Sequence, residues 1–253
     1  MIQINVQNIP RAQKDVKRAF VPKNDAFVFF DYKAIEVRML AFYLIVGISD
    51  TSLRDEIVAG LDPHYETAKG LFNKDDITDE ERQIGKTLNF SIIYGGGTPT
   101  IMRQLGVEYD EAKRLLKAYH ATRPGISLLR TAIDRTLAER GYIINSHGRH
   151  LHVADSHKAL SALIQRSAAD IMREAVIKVH TNLKNKQSHI VNIIHDEIMI
   201  DASLDELDEV VYNVPDLMKP ERINDIMPIE VDCEWSQTNW AEKEEYEWLL
   251  TTQ

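Results

Sequence analysis

The chain has 253 residues, 44% of them hydrophobic and 27% charged, with a formal net charge of −9 and a pI near 5.5. That is enough apolar material for one large core or two smaller ones, and it excludes a disordered chain. No apolar run approaches the ~18 residues of a membrane helix, MIQINVQNIPRAQ lacks a signal core, and the single Cys233 excludes a disulfide framework, so the expectation is a cytoplasmic protein with no membrane partner.

In chain order, AFVFFD (26–31) reads as a short buried strand ending in an acid, and 34–46 as an apolar helix. Thr78, three residues before Glu81, signals a helix start. That helix runs to about Tyr94, where Gly95-Gly96-Gly97 stops it. Residues 109–120 and 124–141 read as amphipathic helices, the second opened by Pro124, and 159–185 as one long helix. VNII-HD-EIMID reads as a hairpin with His195 and Asp196 at a two-residue turn, and PIEVDCEW as the last strand. Strands at both ends with helices between them suggest a sheet domain interrupted by a helical insertion.

The acidic balance argues on its own against nucleic acid, because phosphate contacts need cations. Yet the acids crowd the C-terminal third (DASLDELDE, AEKEEYEW), while basic residues gather at 140–150 and 103–117. The expectation is a local basic groove on an acidic body, with modest nucleic-acid affinity.

Two acids stand out. Asp31 ends a very apolar strand, and Asp196 lies at a hairpin tip between two others; a carboxylate beside such a core is costly unless paired or metal-bound. Each alone is more readily a solvated strand-end residue. Converging, they could bridge two divalent cations ~3.5–4 Å apart for in-line phosphoryl transfer, with magnesium the natural choice. In the helix starting near residue 82, Arg82, Lys86, Phe90 and Tyr94 recur every four residues, about 400° of rotation per step, so they drift round one broad face. Two cations followed by two rings suit a nucleoside triphosphate; a mixed structural face is the other reading.

RQIGKTLNFSIIYGG resembles the fingers helix of family A DNA polymerases, R-x-x-x-K-x-x-x-F/Y-x-x-x-Y-G. Other motifs follow in order: NVQNIP is similar to N-L-Q-N-I-P, DYKAIEVRMLA to D-Y-S-Q-I-E-L-R-x-x-A, and DPHYETA to D-I-H-T-x-T-A. RPGI, the GR of SHGRH, QRSAAD and IIHDE match further segments, so the resemblance covers roughly 5–243. It implies an α+β fold, a polymerase palm of antiparallel sheet with packed helices interrupted by a helical fingers insertion. The expected boundaries are palm 1–50, fingers 51–145 and palm 146–253, with no thumb and no exonuclease domain in this chain.

The resemblance also implies roles. Asp31 and Asp196 fall on the family's metal-binding aspartates, with the carbonyl of Tyr32 completing a site for two Mg²⁺ ions (Mn²⁺ as substitute) and Glu197 a supporting acid. Arg82, Lys86 and His64 would hold the phosphates, Lys86 also giving a proton to pyrophosphate. Phe90 would lie against the deoxyribose, Tyr94 would gate the template base, and Glu36 would exclude a 2′-hydroxyl, although an ordinary helix-surface acid is its plain alternative. Arg149 and Gln165 would test the primer-terminal minor groove, with His195 beside the terminus. The implied activity is template-directed DNA synthesis in DNA replication, on primer-template DNA with deoxynucleoside triphosphates, in a bacterial or phage-infected cell. The chain begins inside the palm, which fits equally the product of a split gene, as in a phage-type split polymerase, and a trimmed piece of a longer polymerase. In either case the expectation is a partner chain that supplies the thumb, with an exonuclease as a further candidate.

Three positions depart from the family pattern: Ile193 stands where Gln is usual, and His157 and Ser161 where Arg and Asn are usual. These changes remove template and primer contacts. A single-subunit RNA polymerase would carry a small residue in place of Glu36 and Met in place of Phe90. A non-catalytic DNA-binding or replisome-scaffolding remnant would not need Asp31, Asp196, Arg82 and Lys86 together, and a metal hydrolase would need only the acids.

Overall fold

A computed structural model describes Ile9 and residues 13–246. The NVQNIP motif, apart from Ile9, lies outside these residues. A short helix, α1 (Lys14–Arg18), precedes strand β1 (Ala26–Tyr32). Helices follow: α2 (Ile35–Ile48), α3 (Ser52–Val58), α4 (Pro63–Phe72), α5 (Asp79–Ile93), α6 (Thr98–Leu105), α7 (Tyr109–Thr122) and α8 (Pro124–Arg140). A small ribbon of β2 (Ile143–Ile144) and β3 (His150–Leu151) leads to the long α9 (Ala159–Leu183). The chain ends in β4 (His189–Ile194), β5 (Glu197–Ala202), α10 (Leu207–Met218), α11 (Glu221–Asn224), β6 (Val231–Ser236) and β7 (Glu244–Glu245).

The chain forms two compact units. One, built from residues 1–35, 169–224 and 229–253, holds a sheet in the order β4-β5-β1-β6-β7. The pairings among its strands are antiparallel. β1 is its middle strand and is covered on both faces, which explains why AFVFF is apolar without alternation. One face carries Phe27, Phe29 and Met199, which cluster with Trp240 and with the half-buried Ile9 and Ile194. The other face buries Val28, Phe30, Ile198 and Ile200. Helix α10 packs on β1 and β6. The hydroxyl of Tyr32 donates to the carbonyl of Met218 at 2.5 Å, and burial drives its pKa up. Buried Asp201 accepts from the backbone N–H groups of Lys23 and Asn24, both at 3.0 Å, which fixes the entry into β1.

The other unit spans residues 36–168 and 225–228 and is mostly helical. Helices α4 and α5 pack closely, because Gly85 permits it: a β-carbon there would lie 2.4 Å from the carbonyl oxygen of His64. Pro124 stands at the first turn of α8, and Gly141 (φ 76°) ends it. Tyr119 of α7 is fully buried. Buried Arg123 forms a bidentate pair with Glu56 at 2.8 and 3.0 Å and also donates to Thr67 Oγ1 (3.1 Å) and the Pro63 carbonyl (3.2 Å). These bonds tie the segments bearing α3, α4 and α8 together.

The sheet is interrupted between β1 and β4 by helices, as the order of strand and helix signals suggested, and the hairpin turns at His195–Asp196. Helices α3, α4 and α6 are short, and α10 lies in an acidic run whose apolar residues Leu207, Val210, Val211, Val214 and Met218 nonetheless recur at helical spacing.

Candidate active-site residues

In the sheet unit, the register sets Asp31 directly opposite Glu197 on β5 and Asp232 on β6. Opposed residues share a sheet face, so three acids stand side by side where like charges repel. The backbone N–H of Tyr32 donates to the carbonyl of Asp196 at 3.3 Å, which brings the first acidic segment against the hairpin tip. At that tip His195 is exposed and has φ 56°, a left-handed conformation that costs a non-glycine residue about 1–3 kcal/mol and is held by its surroundings.

Asp31, Glu197 and Asp232 line a cavity of about 770 Å³, together with Lys17, Lys33 and Lys243. Asp31 is half-buried, with Oδ1 wholly inside. Lys243 supplies counter-charge: its ammonium contacts Glu197, lies 3.2 Å from Glu234 and sits 4.0 Å from the centre of the Phe29 ring. Cys233 on β6 is half-buried, and burial pushes its thiol up to about 12, which leaves it inert as a nucleophile.

Among the described residues no group of three or more His, Cys, Asp or Glu side chains forms a ready metal cage. The donor set of Asp31, Asp196 and the Tyr32 carbonyl is all oxygen. Magnesium accepts one or two carboxylates and fills the rest of its shell with water and phosphate, so this set fits it and would suit zinc or copper poorly.

In the helical unit, α5 opens with a capping box: Thr78 Oγ1 accepts from the N–H of Glu81 (3.3 Å), and Glu81 accepts from the N–H of Thr78 (2.9 Å). Its inner face buries Gly85, Leu88, Asn89, Ile92 and Ile93. Arg82, Lys86 and Phe90 are therefore left half-buried on the outer side, with Tyr94 exposed at the end. The rings of Phe90 and Tyr94 stack at 6.1 Å and 19°, and His64 lies 5.6 Å from Phe90. Tyr94 donates from its hydroxyl to Glu36 at 2.6 Å. Gly95 (φ 75°) then turns the chain where a β-carbon would meet the carbonyl of His157 at 2.8 Å.

His64 enters on α4. The helix cap Asp62 accepts from its N–H (2.8 Å) and receives Arg82 Nε at 2.5 Å. Burial lowers the pKa of His64, and Lys86, Arg82 and Arg123 lower it further against the pull of Asp62. Burial works against the charge on Asp62, but the His64 N–H and Arg82 still hold its carboxyl below the usual range. Arg149 is exposed in the turn between β2 and β3, where Asn145 Oδ1 accepts from its N–H (2.9 Å). Gln165 is exposed on α9, and at the departing positions Ser161 is buried, His157 exposed and Ile193 paired with Ile198.

Sequence reasoning singled out neither Asp62, Asn89, Arg123, Asp232 nor Lys243. The Asp-Pro step at a helix start was a legible cap signal for Asp62, and Asn89 is a polar residue on the mostly apolar buried flank of α5. Nothing local marked the partners of Asp232 or Lys243, which come from strand register and chain return.

The two units thus carry an acidic strand-end cluster and a cation-then-ring helix face. The chain belongs to DNA polymerase family A, whose model matches residues 1–242. Its sequence is 32% identical over 259 residues to DNA polymerase I of Lactococcus lactis subsp. lactis, covering 94% of this chain and 29% of that protein. It is 30% identical over 241 residues to a DNA polymerase of Mycobacterium phage L5, covering 94% and 38%. The chain therefore spans less than two fifths of the length of these curated relatives. A solved structure, the POL domain of Pol1 from M. smegmatis in complex with DNA primer-template and dNTP, matches with a TM-score of 0.82 and 26% identity, covering 94% of this chain and 44% of that one.

Proposed function

We propose that these residues are the palm and fingers of a DNA polymerase, adding deoxynucleotides to a primer 3′-hydroxyl. The 3′-oxygen attacks the α-phosphorus, a new P–O bond forms, and the bond to pyrophosphate breaks. The observation that carries this reading is the bond from the Tyr32 N–H to the Asp196 carbonyl, which sets the two acidic strand ends side by side.

Asp31, Asp196 and the Tyr32 carbonyl would hold two magnesium ions, or manganese in their place, whose charge lowers the pKa of the attacking hydroxyl and stabilises the leaving group when bound. Glu197, tied to Lys243, supports this cluster without being a full ligand. Arg82, His64 and Lys86 bind the triphosphate. Lys86 has no ion pair among the described residues, so its ammonium is available to a phosphate and can pass a proton from Nζ to the departing pyrophosphate. Phe90 packs on the deoxyribose, and Glu36, held by the hydroxyl of Tyr94, fills the space of a 2′-hydroxyl. Arg149, Gln165 and His195 contact the primer end, and Tyr94 gates the template base. With a net charge of −9, firm grip on a duplex would draw on a thumb from beyond these residues.

Primer extension with magnesium, a primed template and deoxynucleotides tests the reading. Extension that fails for the wild type, with any thumb-bearing protein that co-purifies added back, sinks it.

A further inference from the structure

We infer that Asn89 is a positioning residue that locks neutral His64 in the tautomer with its proton on Nε2, so that His64 offers an N–H donor to an anionic ligand. The inference deepens the phosphate role proposed for His64 and rests on that reading for the ligand, a nucleoside triphosphate.

The geometry fixes the direction of each hydrogen bond. Asn89 lies on the buried face of α5 and is itself 6% exposed. Its Nδ2 is 3.3 Å from the carbonyl oxygen of Pro63, 3.1 Å from Thr67 Oγ1 and 3.0 Å from His64 Nδ1. Its Oδ1 is 3.1 Å from the hydroxyl of Tyr119. A carbonyl can only accept, so the atom facing Pro63 must be the amide nitrogen; turning the amide over would set two acceptors against each other. Thr67 agrees. Its hydroxyl proton goes to the Pro63 carbonyl at 2.7 Å, while Arg123 Nε, which can only donate, points at Thr67 Oγ1 from 3.1 Å. With its one proton committed to Pro63, Thr67 Oγ1 is thus an acceptor toward Asn89 as well, taking a hydrogen from Nδ2 at 3.1 Å and giving none to Oδ1, which lies 3.2 Å away. Tyr119, with its hydroxyl fully buried and its pKa driven up by burial, stays protonated and donates to Asn89 Oδ1.

Nδ2 has two hydrogens for three acceptors, and its shortest contact is to His64 Nδ1, so Asn89 presents an N–H there and shares the other between Thr67 and Pro63. A nitrogen that receives a donor must carry its lone pair. The one proton of neutral imidazole is left on Nε2. Among the described residues Nε2 has no hydrogen-bond partner. A doubly protonated ring would turn an N–H against the Asn89 N–H, so the same contact opposes protonation. The charged groups facing the ring act in both directions: Asp62 favours the imidazolium, and Lys86, Arg82 and Arg123 disfavour it. The ring of Phe90 adds an apolar wall.

The test uses the whole chain labelled with ¹⁵N, with the His64 resonances assigned by comparison with His64→Gln. Wild type should show Nδ1 as an unprotonated nitrogen and Nε2 as a protonated one. Asn89→Asp, which replaces the donor by an acceptor, should move the His64 titration to higher pH and put a proton on Nδ1. Asn89→Leu should weaken triphosphate binding about 3- to 10-fold in wild type and not at all in the His64→Gln background, as expected for residues acting as one unit. Melting curves of each variant separate this from loss of fold. A protonated Nδ1 in wild type, or equal loss from Asn89→Leu in both backgrounds, overturns the inference. The expected tautomer together with unchanged triphosphate affinity in His64→Gln upholds the lock and overturns the phosphate role.

Discussion

Replacing Arg123 by methionine removes a buried cation of the helical unit while keeping an unbranched side chain. The Arg123 side chain is 7% exposed and that of its partner Glu56 25%. Removing one member of a buried ion pair costs about 3–5 kcal/mol, because the other is left charged and poorly solvated. Water reaches part of Glu56, so about 2 kcal/mol is assigned to that carboxylate. The lost bonds to Thr67 Oγ1 and the Pro63 carbonyl add about 1 kcal/mol together, since each acceptor keeps another donor. The expected loss is about 3 kcal/mol, equivalent to roughly 6–12 °C in Tm for a chain of this size. Urea denaturation followed by circular dichroism measures it. Arg123→Lys should recover under half, because an ammonium cannot reproduce the fork that meets Glu56. A loss below about 1 kcal/mol for Arg123→Met would show that the pair adds little and that α3, α4 and α8 are held by apolar packing alone.

Asp31→Ala and Asp196→Ala should each abolish primer extension without lowering the melting temperature; near-normal extension by either would remove that residue from metal binding. Glu36→Ala should relax exclusion of ribonucleotides more than it slows deoxynucleotide use, read from paired kcat/KM values. Phe90→Tyr should raise chain termination by dideoxynucleotides, because the added hydroxyl supplies the contact of the missing 3′-hydroxyl; equal termination would place Phe90 away from the sugar. Burial holds the pKa values of His64 and His120 below their ordinary value, so the unfolded chain takes up these protons first. Stability should be full above about pH 6.5–7, fall as pH drops through the unfolded value of about 6.5, and level off below the folded one. Urea midpoints between pH 5 and 8 measure this, and His120→Gln should flatten part of the slope.

Much of this was legible because the informative signals were local. The cap at Thr78, the glycine stop at Gly95 and the four-residue recurrence along α5 lie within one helix, and AFVFF announced a strand covered on both faces. The side-by-side placement of Asp31, Glu197 and Asp232 depends on register between strands far apart in sequence, which no local pattern encodes. The network of Asn89, Thr67, Tyr119 and Arg123 was invisible for a related reason: each member looks like an ordinary helix residue until α4, α5, α7 and α8 are packed. Lys243, set in an acidic run, gave no sign that Glu197 was its partner.

The position of β1 in the sheet also bears on how the chain is made. Its neighbours β5 and β6 are both synthesised more than about 160 residues after it. At roughly 5–20 residues per second, translation leaves this strand unmatched for on the order of ten seconds or more. During that interval AFVFF is an apolar segment with open backbone edges, the type of stretch that self-associates. The intervening helices close through contacts near in sequence and need not wait. A nascent chain halted before residue 197 should therefore bind hydrophobic chaperones through β1, and release should follow once the hairpin at His195–Asp196 has emerged.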